Sequence, residues 1–141
     1  MQEVSVIIPN FNGMAYLDGV LAGLECQSVN NFEVILVDNG SSDGSCAFVA
    51  ARYPWVHLIE LPENFGFCKA VNEGIKASRA PYVLLLNNDI EVTENFIEEM
   101  IFAIKRHPKA FSCAARMIQF HDRDKLDDAG NYYCALGWAY A

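Results

Sequence analysis

The chain has 141 residues, 52% of them hydrophobic, and a formal net charge of −8: enough apolar material for one buried core, and too acidic a balance to attract a nucleic-acid backbone or an anionic membrane surface. Ten Lys and Arg stand against eighteen Asp and Glu, so a phosphate-bearing ligand would need extra positive charge, for which a divalent cation is the ordinary source. The five cysteines (Cys26, Cys46, Cys68, Cys113, Cys134) are odd in number and form no Cys-x-x-Cys pair, which argues against a zinc ribbon or a secreted disulfide framework and for reduced thiols in the cytoplasm.

The first apolar run, Val4 to Ile8, ends in Pro9-Asn10-Phe11-Asn12-Gly13 and gives way to helical spacing from Met14 to Leu24. This loop lacks the Gly-x-Gly-x-x-Gly pattern that lets a pyrophosphate approach a helix N-terminus, so a nicotinamide dinucleotide is not expected.

The second run, Val34 to Val37, ends in Asp38-Asn39-Gly40-Ser41-Ser42-Asp43-Gly44 before a helix from Ser45 to Tyr53. A carboxylate closing a buried strand can accept hydrogen bonds from a base N–H or ribose hydroxyls. It can equally form an Asx-type turn, with Ser41, Ser42 and Asp43 capping the next helix; the two roles are compatible.

After the third run, Val56 to Leu61, Asn64-Phe65-Gly66-Phe67 leads into a helix from Lys69 to Ala77. Free amides at that helix start favour an anion, and Lys69 could touch a phosphate. In the purely structural reading Asn64 caps the helix, Ala70 and Gly74 permit close packing on a sheet, and Lys69 is solvated.

The fourth run, Tyr82 to Leu86, ends in Asn87-Asn88-Asp89. Asp89 is a hard oxygen ligand where Mg²⁺ or Mn²⁺ could bridge it to a diphosphate; alternatively the triplet is a polar turn. Next comes a supporting helix from Phe96 to Arg106, with Thr93 as expected N-cap and Lys105, Arg106 and His107 before Pro108. Phe111 to Ile118 reads as a fifth strand. His57, His107 and His121 read as structural or solvated, and Asp127-Asp128 as a solvated turn.

This βαβα order, with continuously apolar strand runs, predicts an α/β fold with a doubly wound, mainly parallel sheet and helices on both faces. Residues 1–120 are expected to form the α/β domain and 121–141 the incomplete start of a second region. No stretch of about eighteen apolar residues suggests a membrane span, and residues 1 to 8 contain no basic n-region followed by an apolar h-region. In such sheets ligands bind outside the carboxyl ends of the strands, where the polar cassettes would converge.

Four of these segments, Val4-Ser5-Val6-Ile7-Ile8-Pro9-Asn10-Phe11-Asn12, Val37-Asp38-Asn39-Gly40-Ser41-Ser42-Asp43-Gly44, Asn64-x-Gly66-Phe67-x-x-Ala70-x-Asn72-x-Gly74 and Leu86-Asn87-Asn88-Asp89, occur in one order at successive strand ends. Together they resemble family 2 glycosyltransferases of the GT-A fold, nearest to rhamnosyltransferase-like members, over Val4 to about Ile118. The resemblance implies that Pro9, Asn10 and Asn12 with Asp38 and Asn39 hold the nucleoside, Asp38 reading a pyrimidine. It places Asn64, Gly66, Lys69 and Asn72 on the diphosphate side. Asn87, Asn88 and Asp89 would stand at the family's Asp-x-Asp signature, with Asp89 the metal ligand; Asn87 replaces its first Asp and removes a charge. The family's general base is expected beyond Ala141.

The implied function is sugar transfer, with inversion, from a UDP- or dTDP-sugar to a glycan or lipid-linked glycan acceptor, assisted by Mg²⁺ or Mn²⁺. The implied setting is cytoplasmic, with membrane association through other regions. A non-catalytic nucleotide-sugar-binding fragment lacking its base is the alternative. A phosphate-accepting receiver domain would instead require an acidic pair after the first strand, where Pro9-Asn10 stands.

Overall fold

The computed structural model describes residues 2–128, 132–133 and 139–140. Strands and helices alternate as β1 (Val4–Asn10), α1 (Met14–Glu25), β2 (Phe32–Asp38), α2 (Ser45–Arg52), β3 (His57–Glu60), α3 (Phe67–Ala77), β4 (Tyr82–Leu85) and α4 (Phe96–Arg106). Four short strands follow: β5 (Met117–Ile118), β6 (Leu126–Asp128), β7 (Tyr132–Tyr133) and β8 (Ala139–Tyr140). The chain divides into two compact units, Met1–Glu98 and Glu99–Ala141.

The first unit is built on one sheet in the order β3-β2-β1-β4, every pairing parallel. The chain steps from β1 through β2 to β3 in one direction, then returns past β1 to form β4. Right-handed crossovers therefore place α1 and α2 on one face and α3 on the other. Consistent with this, α1 touches α2, whereas α3 packs on β1 and β2. The apolar runs are continuous because both faces are covered: Val6, Ile7 and Ile8 in β1 and Val34 to Val37 in β2 are all buried.

Gly74 sets how closely α3 lies on the sheet. A Cβ there would stand 2.4 Å from Ile7 Cγ2 and 3.2 Å from Val37 Cγ2, so the helix can occupy this position only without a side chain. Ile35, Val37 and Ala70 form the buried cluster beneath it, with Ile59, Leu61 and Ala77 packed around.

Three expectations change. The first turn of α4 is capped from a distance rather than by the Thr93 side chain: Ile97 N donates to Gln27 Oε1 at 2.9 Å, while Gln27 Nε2 donates to the Thr93 carbonyl at 2.8 Å. The Thr93 hydroxyl turns instead to Asn95 Oδ1. The expected fifth strand over Phe111 to Ile118 reduces to Met117–Ile118, which pairs antiparallel with β6 rather than extending the parallel sheet. Residues 111–116 are exposed, and after Phe111 the run Ser-Cys-Ala-Ala-Arg has none of the β-branched or aromatic character that favours a strand. Asp127 and Asp128 belong to β6; Cys134 lies outside the described residues. Among the described residues no helix is long and apolar enough to cross a membrane.

Candidate functional site

The chain order reverses at β1, which has β2 on one side and β4 on the other; in an open parallel sheet that switch point opens a crevice at the carboxyl ends. β1 and β2 end together there, Asn10 opposite Asp38 in the ladder. Pro9 lies within β1, partnered with Val37, rather than in the loop. Asn10 and Asp38 are 2% and 1% exposed, and Asn39 is 4% exposed. Buried polar groups of this kind must be hydrogen-bonded, and all three are.

Asp38 accepts two bonds, one at each oxygen: Asn10 Nδ2 donates to Oδ2 at 2.8 Å, and the Ser41 amide donates to Oδ1 at 2.8 Å. The second is the Asx-type turn expected from sequence. A carboxylate oxygen has more than one lone pair, so this turn leaves Asp38 able to accept further bonds. Asn10 in turn accepts from Asn88 Nδ2 at 2.7 Å through Oδ1. A continuous chain of side chains, Asn88 to Asn10 to Asp38, thus joins the ends of β4, β1 and β2. Gly13 makes room for it, because a Cβ there would stand 2.1 Å from Asn88 Nδ2 and 2.3 Å from Asn10 Oδ1.

The loops after β1 and β2 are stitched to each other. Ser41 Oγ accepts from the Asn12 amide at 2.8 Å, and Asn12 Oδ1 accepts from the Ser42 amide at 2.9 Å. Asn12 holds a left-handed backbone, φ 50°, a conformation that Asn tolerates better than most residues. Asp43 accepts from the amides of Met14 at 2.9 Å and Ser45 at 3.0 Å. Of the three capping candidates, only Asp43 therefore serves the start of α2, and it serves α1 as well. The Ser45 hydroxyl, foremost, together with those amides, holds the Asp43 carboxyl below the usual range.

The third cassette joins β2 through Asn39. Asn39 Nδ2 donates to Asn64 Oδ1 at 2.8 Å, and Asn39 Oδ1 accepts from the Phe65 amide at 3.0 Å. Asn64 Oδ1 also accepts from the Gly66 amide, so Asn64 shapes the loop instead of capping α3. Gly66 occupies the N-cap position with no side-chain cap bond. Lys69 is held by Glu73, Nζ to Oε1 at 2.7 Å, and Lys76 reaches the same oxygen at 2.9 Å. The two lysines pull the Glu73 carboxyl down to about 2. Asn72 lies exposed on α3. The predicted residues therefore fall into a close group (Asn10, Asn12, Asp38, Asn88, with Asn39 and Asn64 adjoining) and a looser one on α3 (Lys69, Asn72).

Asn87 and Asp89 are exposed after β4, while Asn88 is half-buried. No cluster of three His, Cys, Asp or Glu side chains converges among the described residues. A single exposed carboxylate at the crevice still suits Mg²⁺ or Mn²⁺, which retain waters and take ligand oxygens alongside one or two carboxylates.

Four contributors escaped the sequence reading. Ser41 and Asp43 were legible only as local caps, because nothing in spacing announces a bond to another loop. Cys46 lies beside Asp38 and Glu60: burial first, and then those carboxylates, push its thiol up to about 12. Phe11, between Asn10 and Asn12, is 49% exposed; an aromatic left in water at a strand end is a signal that could have been drawn.

A family model described as glycosyl transferase family 2 matches residues 5–138. Glycosyltransferase GlyG of Streptococcus pneumoniae is 29% identical over 133 residues, which cover 92% of this chain and 39% of that protein. The putative teichuronic acid biosynthesis glycosyltransferase TuaG of Bacillus subtilis is 27% identical over 128 residues, 88% of this chain and 50% of that one. Among solved structures, TarS 1-349 of S. aureus in complex with UDP superposes with a TM-score of 0.69 at 26% identity, over 76% of this chain and 33% of that one. The mannosyltransferase PcManGT of Pyrobaculum calidifontis, solved with GDP-Man and Mn²⁺, shares the fold with a TM-score of 0.68 at 23% identity, over 72% and 32%. The chain thus spans 39% to 50% of the length of these two curated relatives.

Proposed function

The chain belongs to glycosyl transferase family 2, and from that premise we propose that it is the donor-binding part of an inverting glycosyltransferase that moves a sugar from a pyrimidine-nucleotide diphosphosugar to a hydroxyl of a glycan or lipid-linked glycan. The observation that carries this reading is Asp38: a buried carboxylate at the switch point of the sheet, fixed by Asn10 and the Ser41 amide with lone pairs to spare. Such an acceptor suits the N–H of a pyrimidine base, and the exposed Phe11 ring nearby offers a face on which a base can stack. TarS crystallised with UDP and with UDP-GlcNAc, which supports a nucleotide-sugar donor, and TuaG is named for teichuronic acid biosynthesis, which supports a polysaccharide product.

In this proposal residues 1–120 form the donor domain, and residues 121–141 begin the acceptor side. The nucleoside lies over Pro9 to Asn12, Asp38 and Asn39. The diphosphate extends past Gly66 and the first-turn amides of α3 (Phe67 onward, with Lys69 and Asn72) towards Asn87 and Asp89. Asp89 would hold Mg²⁺ or Mn²⁺, a group that supplies positive charge against the departing diphosphate in a chain with few spare cations. Asn87 contributes hydrogen bonds without charge. The general base is a residue of the acceptor side and is assigned to none of the carboxylates here. The proposed setting is the cytoplasm, with membrane association through other parts of the protein.

The deciding experiment is calorimetric titration of the chain with UDP, dTDP and GDP, with and without Mn²⁺, repeated on Asp38→Ala and Asp89→Ala. Metal-enhanced binding of a pyrimidine diphosphate, abolished by Asp38→Ala and stripped of its metal dependence by Asp89→Ala, is expected. Binding that survives Asp38→Ala unchanged overturns the reading.

A further inference from the structure

Asn10 and Asn88 stand in two of the cassettes expected to touch the donor, yet the structure gives them other work. Asn10 is 2% exposed, and both ends of its amide are engaged within the protein. Oδ1 accepts from Asn88 Nδ2 at 2.7 Å, while Nδ2 donates to Asp38 Oδ2 at 2.8 Å and lies 3.3 Å from Ser41 Oγ. A side-chain amide has one acceptor end and one donor end. The donor at its oxygen and the acceptors at its NH₂ therefore fix its sense together. Asn88 donates to the oxygen, and Asn10 turns its NH₂ to the carboxylate of Asp38.

From this geometry we propose that Asn10 and Asn88 are positioning residues. They form a relay that couples the loop bearing Asp89 to the carboxylate of Asp38, so that the orientation of Asn88 sets how well the site holds a nucleoside some distance away. The proposal rests on the donor-site reading above and deepens it: Asn88 governs base recognition without touching the base. When the loop after β4 shifts and Asn88 withdraws, Asp38 Oδ2 and Ser41 Oγ still hold the Asn10 NH₂, but Asn10 Oδ1 is left buried without its donor, a cost that turning the amide towards another donor would relieve. The reversed amide would set its oxygen against Asp38, two acceptors facing each other without a proton between them, and Asp38 would have to move. Hydrogen bonds to a charged group are the stronger kind, so the effect at Asp38 exceeds that of losing one neutral contact.

Gly13 provides an independent handle on the same relay. Its backbone is ordinary, φ −101°, so alanine is tolerated locally, but a Cβ would intrude between Asn88 Nδ2 and Asn10 Oδ1. A wedge at position 13 and loss of the donor at position 88 should therefore have the same consequence.

The test uses the 141-residue chain, uridine and thymidine as ligands without phosphates, and UDP with Mn²⁺. Asn88→Asp keeps the shape of the side chain, removes its donor and adds a charge beside Asp89. The relay predicts that uridine or thymidine, whichever the wild type binds, loses about tenfold in affinity in Asn88→Asp, the size expected for one hydrogen bond to a charged group. Gly13→Ala should match it, and Asn88→Ser, which restores a donor, should recover part of the loss. The Asn10 side-chain amide resonances, observed by ¹⁵N NMR without ligand, should move in Asn88→Asp and Gly13→Ala. If Asn88 instead contacts phosphate, nucleoside affinity stays unchanged in Asn88→Asp and only UDP responds, which overturns the relay while leaving the donor site standing. Wild-type chain that binds neither nucleosides nor UDP overturns the donor-site reading and the coupling with it.

Discussion

The backbone amide of Met14 donates to the carboxylate of Asp43 at 2.9 Å, so the first residue of α1 is capped by a residue that stands two positions before α2. Because Asp43 also accepts from Ser45, one carboxylate organises the starts of two helices on the same face of the sheet. A negative charge at a helix N-terminus is favourable, and here it serves two.

That arrangement makes stability sensitive to acid in a definite direction. Asp43 titrates below its ordinary value of 3.8 in the folded chain, so its contribution is fully present above that value and is lost as pH falls through the lower folded value. Glu73, drawn from 4.5 to about 2 by Lys69 and Lys76, has the same sign, but it is solvent-exposed and screened. Urea midpoints measured from pH 5 down to about 2.5 should fall less steeply for Asp43→Asn than for the wild type. Parallel curves would show that Asp43 carries none of the acid sensitivity.

Gln27 ties the end of α1 to the start of α4 through Gly23, Thr93 and Ile97. Replacing it with Ala leaves the Ile97 amide without its cap. A cost of about 1–2 kcal/mol is expected, the upper range for a lost helix cap, read as a lowered urea midpoint with an unchanged slope.

Gly74→Ala sets helix propensity against packing. The substitution gains about 1 kcal/mol of intrinsic helix preference, but the new methyl meets Ile7 and Val37, and overpacking a closed core costs about 1–3 kcal/mol. The neighbours are β-branched and stiff at χ1, so packing should win and thermal denaturation should show a net loss. A stabilised variant would mean that α3 can lift from the sheet.

Cys46, its thiol pushed up to about 12 by burial and by Asp38 and Glu60, stays protonated at neutral pH, whereas the thiolate is the reactive form. Timed alkylation at pH 8 followed by mass spectrometry should modify the exposed Cys26, Cys68 and Cys113 well before Cys46. Early labelling of Cys46 would contradict the packing around Asp38.

In the proposed donor site, Asn87→Asp should add the charge that the resemblance places at this position. With Mn²⁺, UDP affinity should rise several-fold; without metal it should fall, because two adjacent carboxylates would then repel the diphosphate. A change of the same sign in both conditions would separate Asn87 from the metal.

Much of this protein was legible in one dimension because the signals involved are local. Continuous apolar runs such as Val-Ile-Leu-Val report a strand buried on both faces, helical spacing reports the intervening helices, and their alternation yields a parallel sheet. Polar residues at the strand ends then mark the rim where a ligand binds, so Asp38 and Asp89 could be singled out before any coordinates. The failures were of another kind. Phe111 to Ile118 looked apolar enough for a strand, but a strand exists only where a partner edge accepts its hydrogen bonds, and position along the chain does not reveal that. Thr93 had the chemistry of a cap, yet Gln27, 70 residues before the amide it serves, took the role. Asn10 and Asn88 are placed at the donor site by the resemblance, which says nothing of the bond they make to each other. Only the folded chain brings residues 78 positions apart within 2.7 Å and joins their amides to each other. Sequence therefore determined which residues have the chemistry, through composition and period; tertiary structure decided which of them spend it on each other, because that depends on distances across the sheet that no local pattern encodes.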